Sequence, residues 1–461
     1  MKYLTFSLII IFVCINLSVL AQSETPPEGS EPKDFALPAV LTMELDNGMK
    51  GSLVSYGHLP KTIVRIYLEL GNINEDADDT WISDITGELL KEGTSSMSAS
   101  DVAKTAASMG GEVAFYTGMD QSWLGAEVLS EYTDNLILLL ADILQNPSFP
   151  EKEFERLKKD FLRNLDISKT RPQSLAREKF LEVLYPDHPY GRLFPTSENL
   201  SDFTLEQIND FYNRNYGALR AHIYVIGNFD VASAGSTIEE AFRDWQKGPE
   251  PARNIPDAQS GRKIYLINRP DSPQSTIYLG LPVVDPSHPD YFQLTVTNTL
   301  LGGYFSSRIT SNIREDKGYT YSPQSLITSH YRDAYWVQIA DVSTGVTGAA
   351  LKEIFYEIDR LQNEAPSEQE LKGVQNYRAG TFVIRNSSRS GITAQLAYIN
   401  FHELDDDYLS SYVQNIYDVT PQQVQEMAQK YLRDEDMVIV IVGDRKQVTG
   451  QVKQYAEIVF E

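Results

Sequence analysis

Six histidines, one cysteine and a surplus of carboxylates are the groups in this chain that could do chemistry. His58, His188, His222, His288, His330 and His402 are scattered, and no two lie close enough in sequence to form a local metal-binding pair. His402-Glu403 does not continue into His-Glu-x-x-His, and His222 falls in a β-rich run where an ordinary sheet histidine would stand. Cys14 lies in an amino-terminal apolar run that is expected to be removed, which leaves no thiol nucleophile. No Gly-x-Ser-x-Gly elbow and no phosphate-binding glycine loop is present. Hydrolytic chemistry by this chain alone is therefore not expected.

The elements that must position any site come next. Met1 to Ala21 reads as a secretory signal: Lys2, then the apolar run through Leu8-Ile-Ile-Ile-Phe-Val13, then Val19-Leu-Ala21 at the cleavage position. The expected location is periplasmic or otherwise exported, with no membrane anchor once residues 1–21 are cut. Residues 22–38 read as a flexible leader. The net charge of −24 excludes a nucleic-acid partner, since there is no cationic excess to displace phosphate counterions. A length of 461 residues with 42% hydrophobic residues suits two domains with real cores.

Those domains read as one unit used twice. Thr204-x-x-Gln207 and Thr420-x-x-Gln423 are capping boxes that open helices, and each helix leads to a β-rich run ending at Gly227 or Gly443. Thr420 and Gly443 follow Thr204 and Gly227 at one and the same offset. Glu151-Lys-Glu153 and Glu368-Gln-Glu370 repeat at nearly that offset, as do Tyr67-Leu-Glu-Leu70 and Tyr278-Leu-Gly-Leu281. A segment rich in Pro and Gly, residues 247–262, reads as a linker between domains 39–246 and 263–461. Strands are expected near 62–70, 112–116, 263–267, 275–281 and 335–339, with long helices over 150–165 and 347–363. The fold class is α+β: two homologous domains, each a mostly antiparallel sheet with helices on one face.

Four stretches carry a family resemblance: Ile82-Ser-Asp-Ile-Thr-Gly-Glu-Leu-Leu-Lys-Glu-Gly-Thr94, Phe149-Pro-Glu-Lys-Glu-Phe154, Leu301-Gly-Gly-Tyr-Phe-Ser-Ser-Arg308 with Arg314-Glu-Asp-Lys-Gly-Tyr-Thr-Tyr321, and Pro366-Ser-Glu-Gln-Glu-Leu371. In order and spacing the chain resembles the pitrilysin/insulinase-like zinc peptidases, which include mitochondrial processing peptidase and its bacterial relatives. Active members carry His-x-x-Glu-His on a helix of the first domain, with a Glu on a later helix as the third zinc ligand. Here the resemblance places Asp84, Gly87 and Glu88 at the motif positions and Asn164 at the third ligand. Catalytic zinc needs three protein ligands and a base for its water, and Gly87 has no side chain to act as one. Asp84 and Glu88, four apart, read as a solvated helix face, with a weakly held hard cation as the alternative. No metal or other cofactor is expected in this chain.

The resemblance also implies a retained half of a site. Active members use Arg-x-x-x-Gly-x-x-Tyr in the second domain to bind substrate near the scissile bond, and here that pattern is Arg314, Gly318 and Tyr321. Gly302 and Gly303, upstream, read as loop support beside Gly318, with punctuation between helices as the alternative. Arg and Tyr are suitable donors, because amide hydrolysis builds negative charge on the carbonyl oxygen. The plainer reading pairs Arg314 with Glu315 or Asp316 and packs Tyr321 as a turn aromatic. Some members divide the work between a zinc-bearing chain and a homologue that has lost zinc. The expectation is a non-catalytic, substrate-binding subunit of a heterodimeric zinc peptidase, with zinc on the homologous partner and extended peptides as substrate. The alternative is a stand-alone peptide-binding or chaperone-like protein.

Overall fold

The computed structural model describes residues 37–405 and 407–461. The expected export signal (1–21) and the leader through residue 36 lie outside the described residues. Among the described residues twelve strands form two six-stranded sheets. The first contains β1 (Val40–Glu44), β2 (Lys50–Ser55), β3 (Lys61–Leu68), β4 (Ala114–Tyr116), β5 (Ser122–Leu129) and β6 (Ala221–Gly227), in the order β1-β2-β6-β3-β5-β4. The second contains β7 (Lys263–Asn268), β8 (Gln274–Val283), β9 (Gln324–His330), β10 (Asp333–Ser343), β11 (Val438–Gly443) and β12 (Glu457–Phe460), in the order β12-β7-β11-β8-β10-β9.

The two orders are one topology. Within the five-strand block that the halves share, the first and last strands pair in parallel, β2 with β6 and β7 with β11, and the remaining pairs are antiparallel. Only the outermost addition differs: β1 runs antiparallel to β2, and β12 runs parallel to β7. Both sheets are mixed but mostly antiparallel, and the α+β expectation with duplicated domains holds. The capping boxes form as read. Thr204 Oγ1 accepts from Gln207 N at 3.3 Å while Gln207 Oε1 accepts from Thr204 N at 2.9 Å, and Thr420 and Gln423 repeat both bonds at 3.3 and 2.9 Å. The long helices are Glu151–Thr170 and Thr347–Asn363. Residues 246–262 form neither helix nor strand. No helix among the described residues is long and apolar enough to cross a membrane.

Alternation along the central strands sends side chains to two different cores. In β6, Ile223 and Val225 join the core beneath the first half's own helices, whereas Tyr224 and Ile226 face the other way. In β11, Ile439 and Ile441 face the second half's helices, and Val438, Val440 and Val442 face away. The faces turned away are not left in water. Helix Pro172–Leu184 of the first half lays Ala176, Phe180, Leu181 and Leu184 on Val438, Val440 and Val442. Helix Arg389–His402 of the second half lays Ile392, Leu396 and Ala397 on Val54, Ile63, Tyr224 and Ile226. Each half thus covers the open sheet face of the other with the corresponding helix. That explains why 438–442 is a continuous apolar run: central strands buried on both faces cannot alternate with polar residues.

Polar contacts tie the exchange. Arg389 donates to Glu127 at 2.9 Å, Asn400 donates to the Tyr224 hydroxyl at 2.7 Å, and Tyr185 donates to Asp333 at 2.5 Å. Between the halves, Asp120 accepts from the Tyr190 hydroxyl at 2.5 Å and lies 2.9 Å from His330 Nδ1. Two histidines far apart in sequence, His188 and His330, therefore flank one tyrosine ring, at centroid distances of 4.3 and 4.0 Å.

Candidate functional site

The degenerate motif stands on helix Ile82–Leu90. Ile85, Leu89 and Leu90 anchor it in the first core, together with Phe154, Leu157 and Leu165 of helix Glu151–Thr170. Asp84, Gly87 and Glu88 therefore share one helix, with the Asn164 helix packed against it. The expected solvated face is only half present. Asp84 is turned inward and accepts from Asn72 Nδ2 at 2.6 Å, and the same amide nitrogen donates to Glu75 at 3.0 Å. Glu75 is 6% exposed and also accepts from the backbone N–H groups of Trp81 (3.0 Å) and Ser83 (2.9 Å). Burial, then the Asp84 charge, pushes the Glu75 carboxyl up, and burial raises Asp84 as well. The helix start explains this arrangement. Trp81 precedes the helix in a left-handed conformation, and with no side-chain cap there, Glu75 takes the free N–H groups.

Gly87 faces the ring of Phe115 in β4. A Cβ at position 87 would lie 2.2 Å from Phe115 Cε1, so this ring fills the space a base side chain would need. Glu88 pairs with Lys91 at 2.9 Å, and Asn164 is exposed. The residues present do not fit zinc. One carboxylate is held by Asn72, the other by Lys91, and the third position carries a neutral amide in place of the imidazole and carboxylate donors that zinc prefers. Among the described residues no group of three or more His, Cys, Asp or Glu could hold a metal ion. Asn72, Glu75 and Phe115 were not legible as site residues. Glu75 lies in an acidic loop and Phe115 in a short strand, and no sequence spacing links either to the helix.

The second group forms around the wide helical turn Ser311–Asp316. Gly318 ends it with φ +64, and its N–H donates to Arg314 O at 3.1 Å. Glycine adopts this left-handed conformation at no steric cost, and the reversal brings the chain back so that Tyr321 meets Arg314. The guanidinium carbon lies 4.9 Å from the Tyr321 ring centre and 4.5 Å from that of Phe305. Arg314 also pairs with Glu315 at 3.0 Å, so the plainer ion-pair reading and the Arg–Tyr pairing coexist. Tyr321 is 80% exposed and Phe305 61%. Tyr321 is thus no core aromatic. Phe305 was missed, although it lies inside the Leu301–Arg308 stretch. Gly302 and Gly303 do not stand in a loop; they close the wide helical turn Thr299–Gly303. A Cβ on Gly302 would lie 2.6 Å from Ser325 Cβ, so this glycine allows the turn to press on β9. No hydrogen bond or ion pair joins the two groups among the described residues.

Comparison with known proteins agrees with this picture. Residues 58–194 match the family model for insulinase (peptidase family M16), and residues 202–377 match that of the peptidase M16 inactive domain. An uncharacterised zinc protease of Rickettsia felis is 26% identical over 340 residues, covering 73% of this chain and 81% of that protein. The zinc protease YmxG of Bacillus subtilis, also uncharacterised, is 25% identical over 345 residues, covering 73% and 82%. A peptidase M16 inactive domain from Pseudomonas fluorescens superposes with a TM-score of 0.81 at 24% identity, covering 88% of this chain and 98% of that one. A protease from Helicobacter pylori superposes at 0.82 and 19% identity, covering 88% and 100%. The chain belongs to the insulinase-like peptidase family M16, with residues 202–377 matching the family's inactive domain.

Proposed function

We propose that this chain is the non-catalytic, substrate-binding subunit of an exported, heterodimeric zinc peptidase. The observation that carries the reading is an asymmetry between the two groups. At the position the resemblance assigns to the base stands Gly87, with the Phe115 ring packed where a side chain would be, whereas Arg314 and Tyr321 are held together, Arg314 half-buried and Tyr321 exposed. A site that cannot activate water has no use for transition-state donors of its own. Donors kept in place suit a chamber shared with a zinc-bearing homologue. There Arg314 would bring a permanent charge and Tyr321 a phenolic O–H toward the peptide carbonyl. The export signal read in residues 1–21 supports a location in the periplasm or beyond.

The test mixes the purified chain with a zinc-bearing homologue encoded beside it and follows cleavage of a fluorogenic peptide. The chain alone cleaves nothing and the mixture cleaves. Arg314→Ala and Tyr321→Ala lower kcat about a hundredfold, the usual loss when an oxyanion donor is removed, while gel filtration shows assembly intact. Unchanged kinetics for both variants overturns the assignment. A stable homodimer that binds peptide and ignores the homologue favours the stand-alone binding protein instead.

A further inference from the structure

A cavity in the second half is cationic in a protein whose net charge is −24. It encloses about 370 Å³ between β9 and the helices Tyr291–Asn298, Glu368–Asn386, Arg389–His402 and Tyr408–Asp418. Arg378, Arg385, Tyr291, Tyr398, Tyr408 and Tyr412 line it, and no carboxylate does among the described residues.

The charge there is uncompensated. Half-buried Arg378 donates to Thr295 O (3.1 Å), Thr299 Oγ1 (2.9 Å), Thr295 Oγ1 (2.9 Å) and the Tyr412 hydroxyl (2.8 Å). All four acceptors are neutral. Arg308 and Arg389, by contrast, each pair with an acid, Glu370 at 2.7 Å and Glu127 at 2.9 Å, whereas buried Arg220 resembles Arg378 in donating to neutral acceptors only, the Glu250 carbonyl and Asn215. Arg385, at the rim and exposed, makes no side-chain hydrogen bond or ion pair among the described residues. Two guanidinium groups on a partly enclosed wall focus a positive potential into the space before them. The tyrosines add donors of the right kind. The Tyr412 hydroxyl accepts from Arg378 and keeps its own proton to give. Burial pushes the Tyr398 and Tyr408 phenols further up, so that they stay neutral hydroxyls beside the arginines. The aromatic walls, with Phe382 stacked on Tyr412 at 4.0 Å, favour an apolar group beside the charged one.

We infer that this cavity binds the carboxylate of a peptide, either the C-terminal carboxylate or an acidic side chain, with Arg385 and the Arg378–Tyr412 pair as its recognising groups. The inference rests on the peptide-binding role proposed above but not on Arg314 or Tyr321. The volume holds a few residues, so the site captures the end or an acidic position of a peptide and not its whole length.

The experiment measures fluorescence anisotropy of dye-labelled hexapeptides with the isolated chain. One peptide is neutral with a free C-terminal carboxylate, the second is the same sequence amidated, and the third is amidated with one internal Glu. The free acid, the Glu peptide or both bind at least about tenfold tighter than the neutral amide, as expected for one charge-assisted bond, and added salt weakens them. Which of the two binds names the source of the carboxylate. Arg385→Glu, at an exposed position, abolishes the preference, whereas Arg314→Ala leaves it unchanged. Equal affinity for all three peptides, no binding of any, or an Arg385→Glu variant with unaltered preference overturns the assignment. Arg314→Ala lowering turnover of the mixed complex in the same series would show that the subunit reading survives without this cavity.

Discussion

Gly87→Glu restores, on paper, the general base that the family motif requires, and the structure says that it will instead damage the fold. Any side chain at position 87 begins with a Cβ 2.2 Å from Phe115 Cε1, 2.5 Å from Cδ1 and 3.0 Å from Cζ. Phe115 is 8% exposed and packs in the first core, so its ring has little room to retreat. Overpacking of this kind costs roughly 1–3 kcal/mol. Replacing glycine inside a helix returns about 1 kcal/mol of helix propensity. Gly87→Ala should therefore lose about 1 kcal/mol net. Gly87→Glu adds a carboxylate near the Asp84 and Glu75 acids and should lose about 1–3 kcal/mol more. Urea unfolding followed by circular dichroism reads both. The decisive measurement is the double-mutant cycle with Phe115→Ala. Truncating Phe115 costs about 3–5 kcal/mol in the native background. In the Gly87→Glu background it should cost at least about 1 kcal/mol less, because the removed ring is the one in the way. A Gly87→Glu variant as stable as the parent, or an additive cycle, refutes the reasoning. For the same reason the combined variant Asp84→His, Gly87→Glu, Glu88→His, Asn164→Glu should not bind stoichiometric zinc by metal analysis while Phe115 remains.

Two further outcomes follow from the packing. Phe180→Ala removes the ring that one half inserts against β8 and β11 of the other, and should cost about 3–5 kcal/mol in urea unfolding; a loss under about 1 kcal/mol would mean that the exchanged helix contributes little. Burial pushes the His222 imidazole down to about 4, so the folded chain keeps it neutral while the unfolded chain takes up a proton below about pH 6.5. Stability is then lost as pH falls from about 6.5 to 4, by up to about 3 kcal/mol from this group, and the urea midpoint of His222→Gln should gain on the parent through that window; parallel pH curves for the two proteins would rule the mechanism out.

The two groups around Arg314 and Asp84 differ in how they are held, and that difference bears on function. The two acids of the Asp84 neighbourhood are held from within the chain: Asn72 bridges Asp84 and Glu75, and Glu75 accepts from the N–H groups of Trp81 and Ser83. Arg314 is held by one ion pair and two aromatic faces, which orient the guanidinium yet leave donors free.

Local signals in the chain were enough for the architecture. Capping boxes at Thr204 and Thr420 state where helices begin, because a hydroxyl and an amide three residues on satisfy backbone N–H groups whatever surrounds them. Their repetition at one offset announced the duplicated fold, and the Arg-x-x-x-Gly-x-x-Tyr spacing marked a pair that a single left-handed glycine does bring together. What faces what was decided only in three dimensions. The exchange of helices Pro172–Leu184 and Arg389–His402 joins residues hundreds of positions apart through nonspecific apolar contact, which leaves no pattern beyond a continuous run such as 438–442. The ring of Phe115 over Gly87, the inward turn of Asp84 onto Asn72 and Glu75, and the cationic cavity at Arg378 arise the same way. Periodicity tells a residue which side of its own element it occupies, whereas its partner across the core is set by how whole elements pack.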